Sequence, residues 1–142
     1  MKIMVSACLL GENCKYSGGN NLSEKVLDYI KGHEVIPICP EVLGGLSTPR
    51  LPAEIVNGVV TASDGHSVDA EFRAGAERGL KKAKEEAVEL VILQSRSPSC
   101  GVNQIYDGTF SGTKIEGEGV FAKLLRENGF RVTDVEDIGD RE

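Results

Sequence analysis

Nothing in this 142-residue chain approaches the ~20 consecutive apolar residues of a membrane-crossing helix, so no transmembrane role is expected. Met1-Lys2-Ile3-Met4-Val5 runs straight into a strand-like segment, without the apolar core and small-residue cleavage site of an export signal. A soluble, cytoplasmic protein is expected. A basic excess is also missing: the net charge of −6 argues against general binding to nucleic acid or to a membrane surface. Arg50 and Arg96 could still furnish a local basic pocket. The pairs Gly18-Gly19 and Gly44-Gly45 match neither a phosphate loop nor a dinucleotide fingerprint, so nucleotide binding through them has no support. Repeats, linkers and low-complexity segments are absent as well. Residues 1–142 therefore read as one domain, long enough for one core and too short for two.

The four cysteines include no CxxC pair and have no histidine close by. Without an export signal they point to metal ligands or reactive thiols rather than a disulfide framework. A closed structural zinc site would need four ligands, usually in closely spaced pairs, and that pattern is lacking. His33 and His66 lie in turn-like contexts and are not counted as ligands.

Apolar runs separated by turn formers predict the elements. Ile3 to about Ala7 reads as a first buried strand, with Cys8 at its C-terminal lip and Gly11 turning the chain. A turn-rich loop with Cys14 leads to a helix from Glu24 to Lys31, capped by Ser23 with a Leu22/Leu27 staple and stopping at Gly32. Glu34 to Glu41 is a second strand, short or bulged because Pro37 and Pro40 donate no ladder hydrogen bond, and Cys39 falls at its end. Val42 to Pro52 reads as a long functional loop. Asp64-Gly65 predicts a tight turn between Val59-Val60-Thr61 and Val68. The longest helix is expected from Ala70 to Val88, capped by Ser67 or Asp69, with a Phe72/Ala76/Leu80/Ala83/Ala87 stripe. Glu89 to Leu93 is a third strand, and Val102 to Gly119 a loop folded over the site, with a short strand pair. A last helix around Val120, Phe121, Leu124 and Leu125 ends at Asn128-Gly129. Phe130 to Thr133 is a fourth strand, and the acidic tail after it is expected to fray. Strands alternating with helices predict an α/β fold, a small mostly parallel sheet with helices on both faces in a Rossmann-like three-layer arrangement.

Parallel strands present their C-terminal ends on one side, where ligand crevices form. Cys8, Cys39 and Cys100 each follow an apolar strand, so three thiols are expected to converge there. Three thiolates without an obvious fourth suit a soft-metal centre with one open position: zinc, copper(I) or an iron–sulfur cluster. Cys14 is a fourth ligand, a spare thiol, a sulfur-collecting nucleophile or a small buried hydrophobe. Cys100 closes the segment Ser95-Arg96-Ser97-Pro98-Ser99-Cys100-Gly101, stiffened by Pro98. Around the thiols, Glu41 is placed for general acid or base work, and Ser97 and Ser99 for proton relay or for holding a substrate carbonyl. Asn13, Asn20 and Asn21 offer amides to a small polar ring, Tyr16 a stacking face, and Arg50 a cation on a stiff loop.

Three stretches carry a resemblance: Ser6-Ala7-Cys8-Leu9-Leu10-Gly11 with Cys14-Lys15-Tyr16, Cys39-Pro40-Glu41 with Gly44-Gly45-Leu46 and Thr48-Pro49-Arg50, and the Ser95–Gly101 segment. With Gln104-Ile105-Tyr106-Asp107-Gly108-Thr109-Phe110-Ser111-Gly112, the chain resembles the 2-thiouracil desulfurase family of bacteria and archaea along nearly its whole length. The resemblance implies a 4Fe–4S cluster on Cys8, Cys39 and Cys100 with one iron free of protein ligands. It also implies replacement of C=S by C=O in a thiouracil-like pyrimidine without net redox change, the sulfur going to the open iron. Glu41 would be proton donor or water activator, with Ser97 assisting. Loss of the cluster, or its replacement by zinc, is expected on preparation in air. Two other readings stay open: a zinc- or persulfide-dependent sulfur carrier using Cys14 or Cys100, and a non-catalytic binding module whose cysteines are core residues.

Overall fold

The computed structural model describes residues 1–138. In chain order the elements are β1 (Lys2–Ser6), α1 (Glu24–Tyr29), β2 (Glu34–Ile38), α2 (Pro40–Leu43), β3 (Ala53–Val56), β4 (Val59–Ala62) and α3 (Asp69–Glu85). They continue with β5 (Leu90–Leu93), β6 (Gln104–Tyr106), β7 (Lys114–Glu116), α4 (Val120–Glu127) and β8 (Val132–Asp134). Two 3₁₀ turns, Ala7–Leu10 and Val135–Asp137, follow β1 and β8.

The main sheet has the order β2-β1-β5-β8, and every pairing in it is parallel. All four residues of β5 are buried, as expected for a strand covered on both faces. Proline at position 37 is accommodated because β2 is an edge strand, where a missing ladder donor costs little. Successive residues of β1 point to opposite layers. Ile3 and Val5 pack with Val26 of α1, Leu90 and Ile92, whereas Met4 packs with Ala76 and Ala83 of α3 and Phe121 and Leu125 of α4. This is the expected three-layer architecture. From β1 the chain moves outward to β2, then returns to the other side of β1 as β5. The order therefore reverses between β1 and β5, and the crevice at their C-terminal ends is the natural ligand site.

Glycine sets the tightest packing. Helices α2 and α3 meet backbone to backbone: a Cβ on Gly75 would lie 1.8 Å from the Pro40 carbonyl oxygen, and one on Gly44 1.9 Å from that of Glu71. Since Cys39 is the N-cap of α2 and Glu41 lies in its first turn, this contact positions two candidate site residues. Gly75→Ala is expected to cost about 1–3 kcal/mol by overpacking. A Tm equal to that of the unsubstituted protein would show that α2 shifts without cost.

Several local expectations need correction. Strand β1 stops at Ser6, and Cys8 lies inside the 3₁₀ turn, where the last strand residue had been expected at Ala7. The Val42–Pro52 loop is shorter than expected, because Pro40 at the first helical position starts α2. The principal hairpin is β3–β4, around Asn57 and Gly58 with φ of 49° and 80°, the left-handed pair that a tight hairpin turn requires. The Asp64-Gly65 turn also exists, closed by a bridge between Thr61 and Ser67. Helix α3 ends at Glu85, and Ala87 is exposed rather than part of the apolar stripe. Its N-cap is Val68; Asp69 instead accepts from the Val60 N–H at 2.9 Å, tying the helix to β4. Ser23 caps α1 as expected, but Leu22 and Leu27 are both exposed and form no buried staple. The tail stays packed as far as Ile138, which is 3% exposed; residues 139–142 lie outside the described residues. The expected strand pair over the site is present as β6–β7.

Candidate active site

Three strand ends deliver the sulfur atoms. Cys8 in the first 3₁₀ turn, Cys39 between β2 and α2, and Cys100 beyond β5 all line one cavity of about 280 Å³, together with Cys14, Glu41 and Ser97. The convergence expected from the strand pattern is thus present. Cys100 lies at the floor, 5% exposed. Its loop is pinned by Ser97, whose Oγ accepts from the N–H groups of Ser99 and Cys100 at 3.0 Å each. Arg96 beside it has a left-handed φ of 63°, a conformation that gathers at functional sites.

Burial pushes the Cys8 thiol above its ordinary range, reinforced by Cys39 and Glu41 and opposed by the Asn21 amide, which donates to Cys8 Sγ at 3.5 Å. Burial also pushes the Cys100 thiol up, with Glu41 and Cys8 adding to the effect and the Ser6 and Ser99 hydroxyls opposing it. Cys14 is pushed up to about 12 by burial and by its neighbour Cys39, whose thiol donates to the Cys14 carbonyl at 3.8 Å. These thiols sense one another because they share one low-dielectric hollow, and bare thiolates would crowd negative charge there. A bound cation centre removes that conflict, since a coordinated thiol is deprotonated outright.

Glu41 faces the same cavity. Its Oε1 accepts from Arg50 Nε and Nη2 at 3.0 Å each, and its Oε2 from Ser97 Oγ at 3.5 Å. Arg50, expected to contact the substrate, lines the cavity with its donors already engaged. Its remaining N–H groups go to the Ser47 carbonyl (3.1 Å), Thr48 Oγ1 (3.0 Å) and the Cys14 carbonyl (2.9 Å), so the guanidinium orients Glu41 and the Cys14 loop. Asn13 does not line this cavity. The loop closes through Asn21 N–H to the Cys8 carbonyl (2.9 Å), which turns Asn21 inward and leaves Asn13 outside, accepting from Asn20 Nδ2 at 2.9 Å. Ser99, 1% exposed, sits behind Cys100 with its carbonyl held by Phe121 N–H at 2.9 Å, and does not line the cavity. Tyr16 stands at the rim, 46% exposed. Lys15, Gln94 and Tyr106 also line the cavity and were not singled out from the sequence. The signal for Tyr106 was present in the Gln104–Gly112 motif; that for Gln94 was its place directly after an apolar strand.

Among the described residues, no three histidine, cysteine or acidic side chains surround a single-ion position. A lone zinc ion draws its thiolates to ~2.3 Å and so demands tightly gathered sulfurs. A 4Fe–4S cluster is held by thiolates on different irons, and suits three thiols distributed around a larger hollow. The all-sulfur donor set, its burial and the cavity fit that group.

Fold and site together define a class: a parallel α/β domain with a sulfur-lined crevice at the reversal of its strand order. The comparisons narrow it. The 2-thiouracil desulfurase family profile matches residues 3–137, and the chain belongs to that family. It is an enzyme of the thiouracil desulfurase type, which removes the reading of its cysteines as core residues of a binding module. The chain is 44% identical over 149 residues to a Bacillus subtilis (strain 168) protein named "Uncharacterized protein YbbK", covering 97% of this chain and 98% of that one. The solved structure of the 4Fe-4S-dependent thiouracil desulfidase TudS superposes with a TM-score of 0.91 at 39% identity, covering 98% of this chain and 93% of that one. No helix among the described residues is long and apolar enough to cross a membrane.

Proposed function

We propose that this chain hydrolyses the thiocarbonyl of a small thiolated pyrimidine, 2-thiouracil or a near relative, to the carbonyl compound and sulfide. The observation that carries this reading is the presence of Cys8, Cys39, Cys100, Glu41 and Ser97 around one cavity. Cys8, Cys39 and Cys100 would hold a 4Fe–4S cluster, with the Asn21 amide donating to Cys8 Sγ as a supporting contact. When bound, such a cluster supplies a sulfur-seeking Lewis acid that polarises the C=S bond.

The chain's own residues manage water and protons. Thiocarbonyl plus water gives carbonyl plus hydrogen sulfide, so both water protons end on sulfur and no electron is exchanged. Glu41, oriented by Arg50, accepts a proton as the water oxygen adds to the thiocarbonyl carbon, and returns it as sulfur departs. Ser97, between Glu41 and the backbone N–H groups of Ser99 and Cys100, keeps its hydroxyl aimed at the carboxylate. Tyr16 and Tyr106 flank the cavity and offer faces against which a planar ring can rest.

Protein purified without oxygen and given 2-thiouracil is expected to yield uracil and sulfide in equal amounts. Iron-replete protein that leaves thiouracil untouched, or releases sulfide without uracil, overturns the reading.

A further inference from the structure

The polar groups around the cavity can be followed one by one. Glu41 and Arg50 hold each other. Asn21 is shared between Cys8 Sγ and Lys15 Nζ, the latter at 3.4 Å. Ser95 donates to Asp134 at 2.6 Å, and Arg96 binds Glu136 through Nη2 at 3.1 Å while its buried Nε, a single donor, has no partner among the described residues. Two amide residues line the cavity, Asn21 and Gln94, and among the described residues the Gln94 carboxamide has no hydrogen-bond partner. The Tyr16 and Tyr106 hydroxyls are free too, but each offers a single polar point.

Gln94 has an anchored backbone. It directly follows Leu93, the last residue of β5, where the strand order reverses. Its backbone N–H donates to Ser6 Oγ at 3.0 Å, and the Ser6 hydroxyl is among the groups that hold down the Cys100 thiol's pKa. A backbone anchored directly beyond a strand end sets where the side chain starts more firmly than a free loop does.

We propose that Gln94 is the ring-recognition residue. Its carboxamide oxygen accepts from a ring N–H and its NH₂ group donates to the neighbouring ring carbonyl, while the thiocarbonyl points at the thiols. A carboxamide is complementary to such an –NH–C(=O)– edge in the way that Gln and Asn pair with two adjacent groups on adenine. The inference rests on the proposed function and narrows it. The substrate class becomes cyclic thioamides that keep an unsubstituted lactam edge next to the C=S group.

The test compares wild-type holoenzyme with Gln94→Leu on 2-thiouracil and on its 3-methyl derivative, whose lactam N–H is blocked, and measures uracil binding calorimetrically. Gln94→Leu is expected to raise KM for 2-thiouracil about 10- to 100-fold with a much smaller change in kcat, and to weaken uracil binding to match. The 3-methyl compound should be a poor substrate of the wild type and lose nothing further in the variant. Gln94→Glu, which keeps the shape and removes the donor, gives the same loss and serves if the leucine variant fails to fold. An unchanged KM and uracil affinity, or equal losses on both substrates, overturns the assignment. Wild-type protein that binds uracil through Gln94 but desulfurates nothing supports edge recognition and overturns the proposed function instead.

Discussion

Cys100→Ala protein purified without oxygen is expected to lack the brown iron–sulfur absorption and all measurable desulfurase turnover. On the proposed assignment the cluster has only three protein ligands, so removing one leaves two, on separate elements. Cys100 is also the most deeply placed of the three, 5% exposed beneath the cavity and fixed through its N–H to Ser97 Oγ. Alanine there leaves the loop's backbone hydrogen bonds intact, because they belong to Ser97, Ser99 and the start of α4 rather than to the sulfur. The variant should therefore fold, and its circular dichroism should match the wild type while iron content falls to background. A single-ion carrier predicts another pattern: at most one metal per chain, with sulfane sulfur on a cysteine. Retained colour and turnover in Cys100→Ala would remove Cys100 from the ligand set.

The site was legible from the sequence to the extent that it follows from strand ends. Cys8, Cys39 and Cys100 are separated by most of the chain, yet parallel pairing forces the ends of β1, β2 and β5 onto one side. What alternation of apolar and turn residues could not show was orientation within loops. Asn13 and Asn21 look equivalent in the sequence, and only the Asn21 N–H to Cys8 carbonyl bond decides which amide turns inward. Arg50 looked like a free cation for the same reason. Its donors are taken up by the nearby Ser47 carbonyl and Thr48 hydroxyl, by the Cys14 carbonyl far away in the chain and by Glu41, partners that no spacing rule reveals. Strand β3 has no counterpart among the expected elements although Asn57-Gly58 is a strong hairpin signal, because its four residues directly follow a Pro/Gly-rich loop and are too few to show a clear alternation. Helix α2 was missed because four residues carry no periodicity. Gln94 was passed over as the end of a strand, although that position is where an α/β sheet places its ligand contacts.

Glu41→Gln tests the other half of the proposal, the separation between holding sulfur and moving protons. The variant is expected to keep its colour and iron, because no cysteine changes, yet to lose about 10²- to 10⁴-fold in kcat, the usual contribution of a positioned acid–base group. Glutamine is the right replacement because the carboxylate is also a structural partner. It is only 18% exposed, and its Arg50 partner 8%, so a residue without an acceptor would leave a buried guanidinium unpaired and destabilise the fold. The carboxamide oxygen of glutamine can still accept from Arg50 Nε, so the hydrogen bond is kept while the negative charge and the capacity to take up and return a proton are removed. KM for 2-thiouracil should change little, since ring recognition is assigned to Gln94 and not to Glu41. The two substitutions should therefore separate cleanly, Glu41→Gln in kcat and Gln94→Leu in KM. Were Glu41→Gln to retain wild-type kcat, the carboxylate would be a tether for Arg50 and the Cys14 loop, and water activation would have to be assigned to another group lining the cavity.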